Sequence, residues 1–331
     1  MRTHKVNLIL KTLSIAFLIT AFSANSNLQA LDKFSVAGWS KPISEITNLL
    51  SEPDKGFFKA QGIDLGYVPG TGGGSAITNM LSGAADIAFT DPASFYQALD
   101  RGEKLIAIYN IYPQNVFNIV SPKSRNITKP LDLKGKKIGV YSLSSGTRQN
   151  LQVLLHQVGL SEKDVTIQVT GLLNFAPVMQ GQVDATAATD TGLYVGKLKG
   201  LKDVNVIEVK NYLNVPSDMF VVTEKIYKEK KDLLRRFLSA YKDCTQWMID
   251  NPEEAAKIAK KRSINGRNEA VNLEIIKIRN ISSVSKTTRM RGLGHFDLDL
   301  LQKGAKTFKE LGLINKNIDI TNVVKSDLIP K

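Results

Sequence analysis

The sequence predicts an α/β protein made of two α/β units in tandem, each a mainly parallel sheet flanked by helices. Three observations carry this expectation. Short β-type runs alternate with helical patterns between residues 34 and 109, the pattern of parallel strands joined by crossover helices. A second series of the same kind starts at Val116, and from residue 230 to the end the pattern becomes mostly helical.

Residues 1–30 stand apart. Arg2, Lys5 and Lys11 flank the apolar run 13–19, and no acid lies near it, which reads as a secretory signal peptide cleaved between about residues 24 and 30. The alternative, a membrane anchor, is the weaker reading because a helical span needs about 20 apolar residues and this run has roughly 11. No later stretch is long and apolar enough for a transmembrane helix, so the remaining chain is expected to be exported and soluble. The single cysteine, Cys244, lies too far from the leader to carry a lipid anchor. It also excludes an internal disulfide and a cysteine-based metal cluster.

In the first unit, residues 34–37, Ile63–Val68, 86–89 and 105–109 read as strands. In the second, residues 116–120, 137–141, 165–169 and 183–187 do so, with a helix over 147–158. That helix puts Leu151, Leu154, Leu155 and Val158 on one stripe at spacings of three and four, a core-facing pattern. His156 falls off the stripe and reads as a surface or capping side chain rather than a ligand or base. Further on, Leu233, Leu234, Phe237, Leu238 and Tyr241 form another stripe that continues to Trp247, and Pro252 opens the next helix. There is no internal repeat and no flexible linker. Two units joined without a linker need short hinges, expected at 115–122 and 215–222.

The net charge is +13, of which the three basic residues of the leader account for 3, leaving +10. Basic residues are dense over 225–236 and 257–267, but acids interleave both stretches. They read as solvated helix faces rather than a nucleic-acid or membrane patch. Hydrolase signatures are missing: there is no Gly-x-Ser-x-Gly elbow and no His-Glu-x-x-His helix.

Several segments in a fixed order resemble a known family. They are Gly56-Phe57-Phe58-Lys59-Ala60-Gln61-Gly62-Ile63-Asp64-Leu65, the glycine-rich turn 70–75, and Leu81-Ser82-Gly83-Ala84-Ala85-Asp86-Ile87-Ala88. Asp132-Leu133-Lys134-Gly135-Lys136-Lys137-Ile138-Gly139-Val140 and Met179-Gln180-Gly181-Gln182-Val183-Asp184-Ala185 follow. Together they resemble the solute-binding proteins of ABC importers in the SsuA/THI5-like (NMT1) group, which includes sulfonate, taurine, nitrate and thiamine-precursor pyrimidine binders. The resemblance implies a two-lobed periplasmic binding protein of type II-like fold, with two hinge strands. One lobe would combine residues 31–117 with 219–331, the latter including C-terminal helices, and the other would be 118–218. Such lobes close on ligand like a hinged clamp. It also implies a free periplasmic protein, a membrane permease and ATPase as partners, and a monomer with neither cofactor nor nucleic-acid partner.

In open α/β sheets ligands sit beyond the carboxyl ends of strands, where helix N-termini offer N–H groups. Trp39 follows the first strand and reads as a stacking surface, alternatively as core. The turn 70–75 offers Gly73 and Gly74 for close backbone approach and Ser75 as a helix cap; it lacks the lysine of a phosphate loop. Thr90 and Asp91 precede Pro92, and Asp91 is a helix N-cap by position that could also face ligand. Ser144, Ser145, Gly146, Thr147 and Arg148 form a donor nest suited to a carboxylate, sulfonate or ring carbonyl. Thr189, Asp190 and Asp218 face the cleft if the resemblance holds. Asp91, Asp190 and Asp218 would then make the cleft acidic, which suits a nitrogenous heteroaromatic, such as a thiamine-precursor pyrimidine, over a bare anion. Alternatives are a sulfonate, taurine or aromatic acid as ligand, or a ligand-sensing adaptor. Yeast members of the group synthesise a pyrimidine by consuming their own histidine, a chemistry tied to a cysteine-rich motif that this chain lacks.

Overall fold

The computed structural model describes residues 30–171 and 175–330. The expected leader, apart from Ala30, lies outside the described residues.

Two five-stranded sheets are present. The first contains β1 (Asp32–Ala37), β2 (Ile63–Val68), β3 (Ile87–Thr90), β4 (Leu105–Tyr112) and β10 (Asp218–Thr223), in the order β2-β1-β3-β10-β4. The second contains β5 (Phe117–Pro122), β6 (Lys137–Val140), β7 (Thr166–Val169), β8 (Ala185–Thr189) and β9 (Val204–Glu208), in the order β7-β6-β8-β5-β9. Within each sheet one strand opposes the rest: β10 pairs antiparallel with β3 and β4, and β5 with β8 and β9. Each reversed strand is the one that enters directly from the other sheet. A direct passage needs no crossover helix, whereas the parallel neighbours do. The chain passes between sheets through residues 113–116 and 209–217, and the reversed strands therefore start where their parallel neighbours end.

The sequence reading contains no strand at Val204–Glu208 or Asp218–Thr223. The second is five buried residues followed by a partly buried threonine, a continuous apolar run whose periodicity does not separate strand from buried loop.

Helices α1 (Gly73–Leu81) and α2 (Pro92–Asp100) serve the first sheet, and α3 (Gly146–Gln157) and α4 (Asp190–Leu198) the second. The C-terminal part is α5 (Lys231–Asp250), α6 (Pro252–Arg262), α7 (Glu269–Ser282) and α8 (Leu298–Glu310). Alternation along the strands builds a core on each face of the first sheet. Phe34, Val36, Phe89 and Phe220 point one way, and Ala37, Ala88, Met219 and Val221 the other, as the period of two requires. The expected stripe on α5 covers the first face: Phe237 lies 4.8 Å from Phe34 and 5.2 Å from Phe220 between ring centroids. Trp247 leaves this stripe to pack on Phe57 at 5.9 Å, with the Lys55 ammonium over its ring. Helix α3 buries Leu151, Leu154 and Leu155 against Ile138 and Val140.

Helix α7 belongs to the first lobe. Asn272, fully buried, donates to the carbonyls of Ala256 and Gly266 and accepts from the Ser44 hydroxyl, which pins α7 to α6 and to the turn Ser44–Ile46.

Candidate ligand-binding site

Between the sheets lies a cavity lined from the first lobe by Trp39, Ile43, Glu45, Gly72, Gly73, Asp91, Asp218 and Arg279. From the second lobe come Phe117, Tyr141, Ser145, Gly146, Thr147 and Thr189, with Val116 from the connection. Its construction follows from strand direction. Trp39, Asp91, Tyr141 and Thr189 stand at or just after the carboxyl ends of β1, β3, β6 and β8, whereas Asp218 and Phe117 open the reversed strands β10 and β5. Both kinds of strand end thus meet at one edge, where ligands of open α/β sheets bind.

The walls are aromatic and come from both lobes. Trp39 meets Phe89 at 6.3 Å and Tyr141 at 6.5 Å, each nearly perpendicular, so the indole is braced from the side. Its buried N–H meets no acceptor among the described residues. Such a braced ring offers stacking area with little rotamer freedom to lose.

Of the three carboxyls on the first-lobe side, Asp91 and Asp218 stand together in the wall and Glu45 lies at the floor. Asp91 is 4% exposed and accepts from the Ser94 backbone N–H at 2.8 Å and the Ser94 hydroxyl at 2.9 Å, capping α2 behind Pro92. Burial, only partly offset by these bonds, pushes its carboxyl up to about 6. Thr90 and Met219 are partners across the β3–β10 ladder, so Asp218 emerges beside Asp91. Asp218 is 8% exposed, and no described residue donates a hydrogen bond to it. Burial first, then the neighbouring Asp91 charge, holds its carboxyl well above the usual range. Burial of this kind favours the neutral carboxyl, which can donate or accept a hydrogen bond where it lines the cavity.

The opposite wall begins α3. Its first residues Gly146 and Thr147 line the cavity, which brings the unpaired amides and the positive dipole end of the helix there. The hydroxyls beside them hold the turn together: Ser145 donates to the Ser142 carbonyl at 2.7 Å, and Thr147 accepts from the Tyr141 N–H at 3.0 Å. A seam closes the rim, where the Gly74 N–H donates to the Ser144 carbonyl at 3.0 Å and the Ser142 hydroxyl donates to the Thr71 carbonyl. Gly72 has φ +133°, and a Cβ there would lie 2.5 Å from the Ser144 carbonyl oxygen. At Gly73 a Cβ would lie 2.0 Å from the Asp91 carboxylate. Glycine at 72 permits the close approach of lobe to lobe, and glycine at 73 the packing of α1 on Asp91 within the first lobe.

At the floor, Arg279 of α7 is 1% exposed. Its Nε donates to Glu45 at 2.8 Å, and its Nη2 donates at 2.8 Å to both Asp190 and Thr191. The guanidinium also lies over the Tyr112 ring at 5.3 Å. Burial alone would push its basicity down, but Asp190 and Glu45 more than reverse that and hold it protonated.

A model of the family described as NMT1/THI5 like matches residues 43–255, the stretch that holds most of this cavity. The chain belongs to the NMT1/THI5-like family. A Haemophilus influenzae protein named for thiamine biosynthesis is 26% identical over 205 residues, covering 61% of this chain and 64% of that protein. The chain thus spans just under two thirds of that relative's length. The riboflavin-binding protein RibY of Chloroflexus aurantiacus is 23% identical over 286 residues, 83% of this chain and 80% of the relative. Among solved structures, the alkanesulfonate-binding protein SsuA from Xanthomonas axonopodis pv. citri, bound to MOPS, superposes with a TM-score of 0.70 at 16% identity. That match covers 89% of this chain and 98% of SsuA. The NMT1/THI5-like chain therefore has the two-lobed periplasmic binding-protein fold.

Of the residues singled out in the sequence, Trp39, Gly73, Asp91, Ser145, Gly146, Thr147, Thr189 and Asp218 converge on the cavity of this NMT1/THI5-like protein. Thr90 lies beneath it, fully buried, donating to the Gly73 carbonyl at 2.9 Å. Gly74, Ser75 and Ser144 lie beyond the seam, in an outer groove. Ser75 does not cap α1, because that helix already begins at Gly73 with Gly72 at its cap. Arg148 does not line the cavity: its Nε donates to Glu162 at 2.7 Å and its Nη1 to the Leu143 carbonyl at 2.9 Å, partners within its own lobe. Asp190 is likewise engaged by Arg279. Sequence reading missed Glu45, Phe117, Tyr141 and Arg279. Tyr141 carried the strand-end signal that revealed Trp39, whereas Phe117 opens a reversed strand and nothing local marks Arg279.

Proposed function

We propose that this chain is the ligand-capturing component of an ABC importer and that its ligand is a small nitrogenous heteroaromatic with N–H donors. The lobe built on the first sheet, which includes Asp218, and the lobe built on the second, which includes Phe117, close over that ligand. The exported, leader-free monomer then hands it to a membrane permease driven by an ATPase. The observation that carries this reading is Asp218, a cavity-lining carboxyl between aromatic walls to which no described residue donates a hydrogen bond. A ring nitrogen or amino N–H would satisfy it, Trp39 would stack on the ring, and the first amides of α3 would meet a ring nitrogen or carbonyl on the far side. An anionic ligand is less well served, because Arg279 already has Glu45 and Asp190 as partners and Asp91 and Asp218 would repel a negative charge. The name of RibY, a riboflavin binder, is in keeping with a nitrogenous ring. Among the described residues that line the cavity no nucleophile stands beside a base, so the reading is capture without catalysis.

A thermal-shift screen of residues 31–331 tests this with aminopyrimidines, flavins, alkanesulfonates, taurine and aromatic carboxylates. A ligand at about 100 times its Kd adds about 2.7 kcal/mol of stability. The expected hit is an aminopyrimidine or related ring, and Asp218→Asn should weaken it about 10- to 100-fold, since a hydrogen bond to a charged group is worth about 1.5–3 kcal/mol. A sulfonate hit that Asp218→Asn leaves intact would overturn the ligand class.

A further inference from the structure

We propose that Arg279 is an interlobe latch that draws the two lobes closed before any ligand is bound. The proposal rests on the hinged closure proposed above but not on the class of ligand.

The argument starts from which bonds survive opening. Arg279 and Glu45 lie on the same lobe, because α7 is tied through Asn272 to the turn that holds Glu45. Their bond is therefore made in both states and favours neither. Asp190 and Thr191 open helix α4 on the other lobe, so their bonds to Arg279 exist only when the lobes meet. Thr191 is 1% exposed, and its hydroxyl accepts from Arg279 Nη2 at 2.8 Å while donating to Glu45 Oε1 at 2.8 Å. Arginine, glutamate and threonine thus form a closed ring in which two of three bonds span the cleft. Asp190 adds the charge partner. A lysine could not do this, because the fork of a guanidinium is needed to reach both lobes at once.

The latch also explains why a buried arginine can line a ligand cavity without serving as an anion site: both lobes hold carboxylates against it. Arg279 lies outside residues 43–255 of the family match, whereas Glu45, Asp190 and Thr191 lie inside it.

The test is an interlobe distance in the ligand-free protein, read by pulsed electron resonance between spin labels at Ser82 and Lys163. Both positions are exposed, one on each lobe, and Cys244 is buried and will not label. Wild type should give one short-distance population. Thr191→Val keeps the size of the side chain and leaves the Arg279–Glu45 pair whole, so the fold is preserved while both threonine bonds are lost. Asp190→Asn removes the charge partner. Each should lower the closed-to-open ratio by about tenfold or more, and Arg279→Lys should not restore it. Gly72→Ala serves as reference, because its Cβ would press on the Ser144 carbonyl and force the cleft apart. If Gly72→Ala lengthens the distance while Thr191→Val and Asp190→Asn match wild type, the latch is wrong and the hinge stands. If wild type itself is open, the latch is also wrong. If Gly72→Ala leaves the distance unchanged as well, hinged closure and latch fall together. A failed ligand screen with these distances as expected would sink only the ligand class.

Discussion

Replacing Asp91 with asparagine separates what this residue does for the fold from what its charge costs. Asparagine keeps an oxygen that can accept from the Ser94 N–H, so the cap on α2 is retained, but the buried charge is gone. Burial raises the Asp91 carboxyl from 3.8 to about 6, and at about 1.36 kcal/mol for each pH unit this corresponds to about 3 kcal/mol. The sign follows from proton uptake. Between those two values the native state binds more protons than the unfolded chain, so stability falls as pH rises through the window. At pH 4 the folded carboxyl is neutral and the unfolded one about half ionised, so wild type and Asp91→Asn should differ by less than about 1 kcal/mol. At pH 8 the variant should be more stable by up to about 3 kcal/mol, with Asp218 absorbing part of the difference because the two carboxyls titrate together. Urea unfolding at pH 4 and pH 8 measures this directly. Asp91→Ala gives the cap separately and should lie about 1 kcal/mol below Asp91→Asn at both pH values. Parallel pH curves for wild type and Asp91→Asn would show that Asp91 is solvated and ordinary, and the account of a dry acidic wall would fail.

Two further outcomes follow from the same geometry. Trp39→Ala should weaken binding of the screen's ring ligand about tenfold by calorimetry, since ring contacts of this kind are worth about 0.5–1.5 kcal/mol beyond area; unchanged affinity would move the ring elsewhere. Arg148→Ala should leave that affinity as it is and cost at most about 1 kcal/mol of stability, because its partner Glu162 is part of an outer, partly exposed pair; a large loss of binding would return Arg148 to the cavity.

Much of the site was legible because strand ends announce themselves. Trp39, Asp91 and Thr189 follow apolar runs and precede helix starts, and the rule that ligands meet the carboxyl edge of a parallel sheet does the rest. The hydroxyl run 142–147 was legible as a helix start but not as to its use, for Ser145 and Thr147 bond within their own turn. Arg148 failed for a related reason. Sequence spacing places a side chain near a site but does not reveal a stronger partner such as Glu162, which is 14 residues away in the chain and 2.7 Å away in space.

What the sequence determined by itself is the set of local choices: alternating strands and helices, the apolar stripes of α3 and α5, the cap at Asp91, and the strand-end residues that stand ready for ligand. Those follow from periods of 2 and 3.6 and from backbone chemistry, which act over a few residues. Only the tertiary structure decided that β5 and β10 run against their neighbours, that Asp218 arrives beside Asp91 with no donor of its own, and that Arg279 meets Glu45 and Asp190. These depend on contacts far apart in the chain, 234 and 89 positions for those of Arg279 with Glu45 and Asp190, and no local pattern encodes a partner at such a distance.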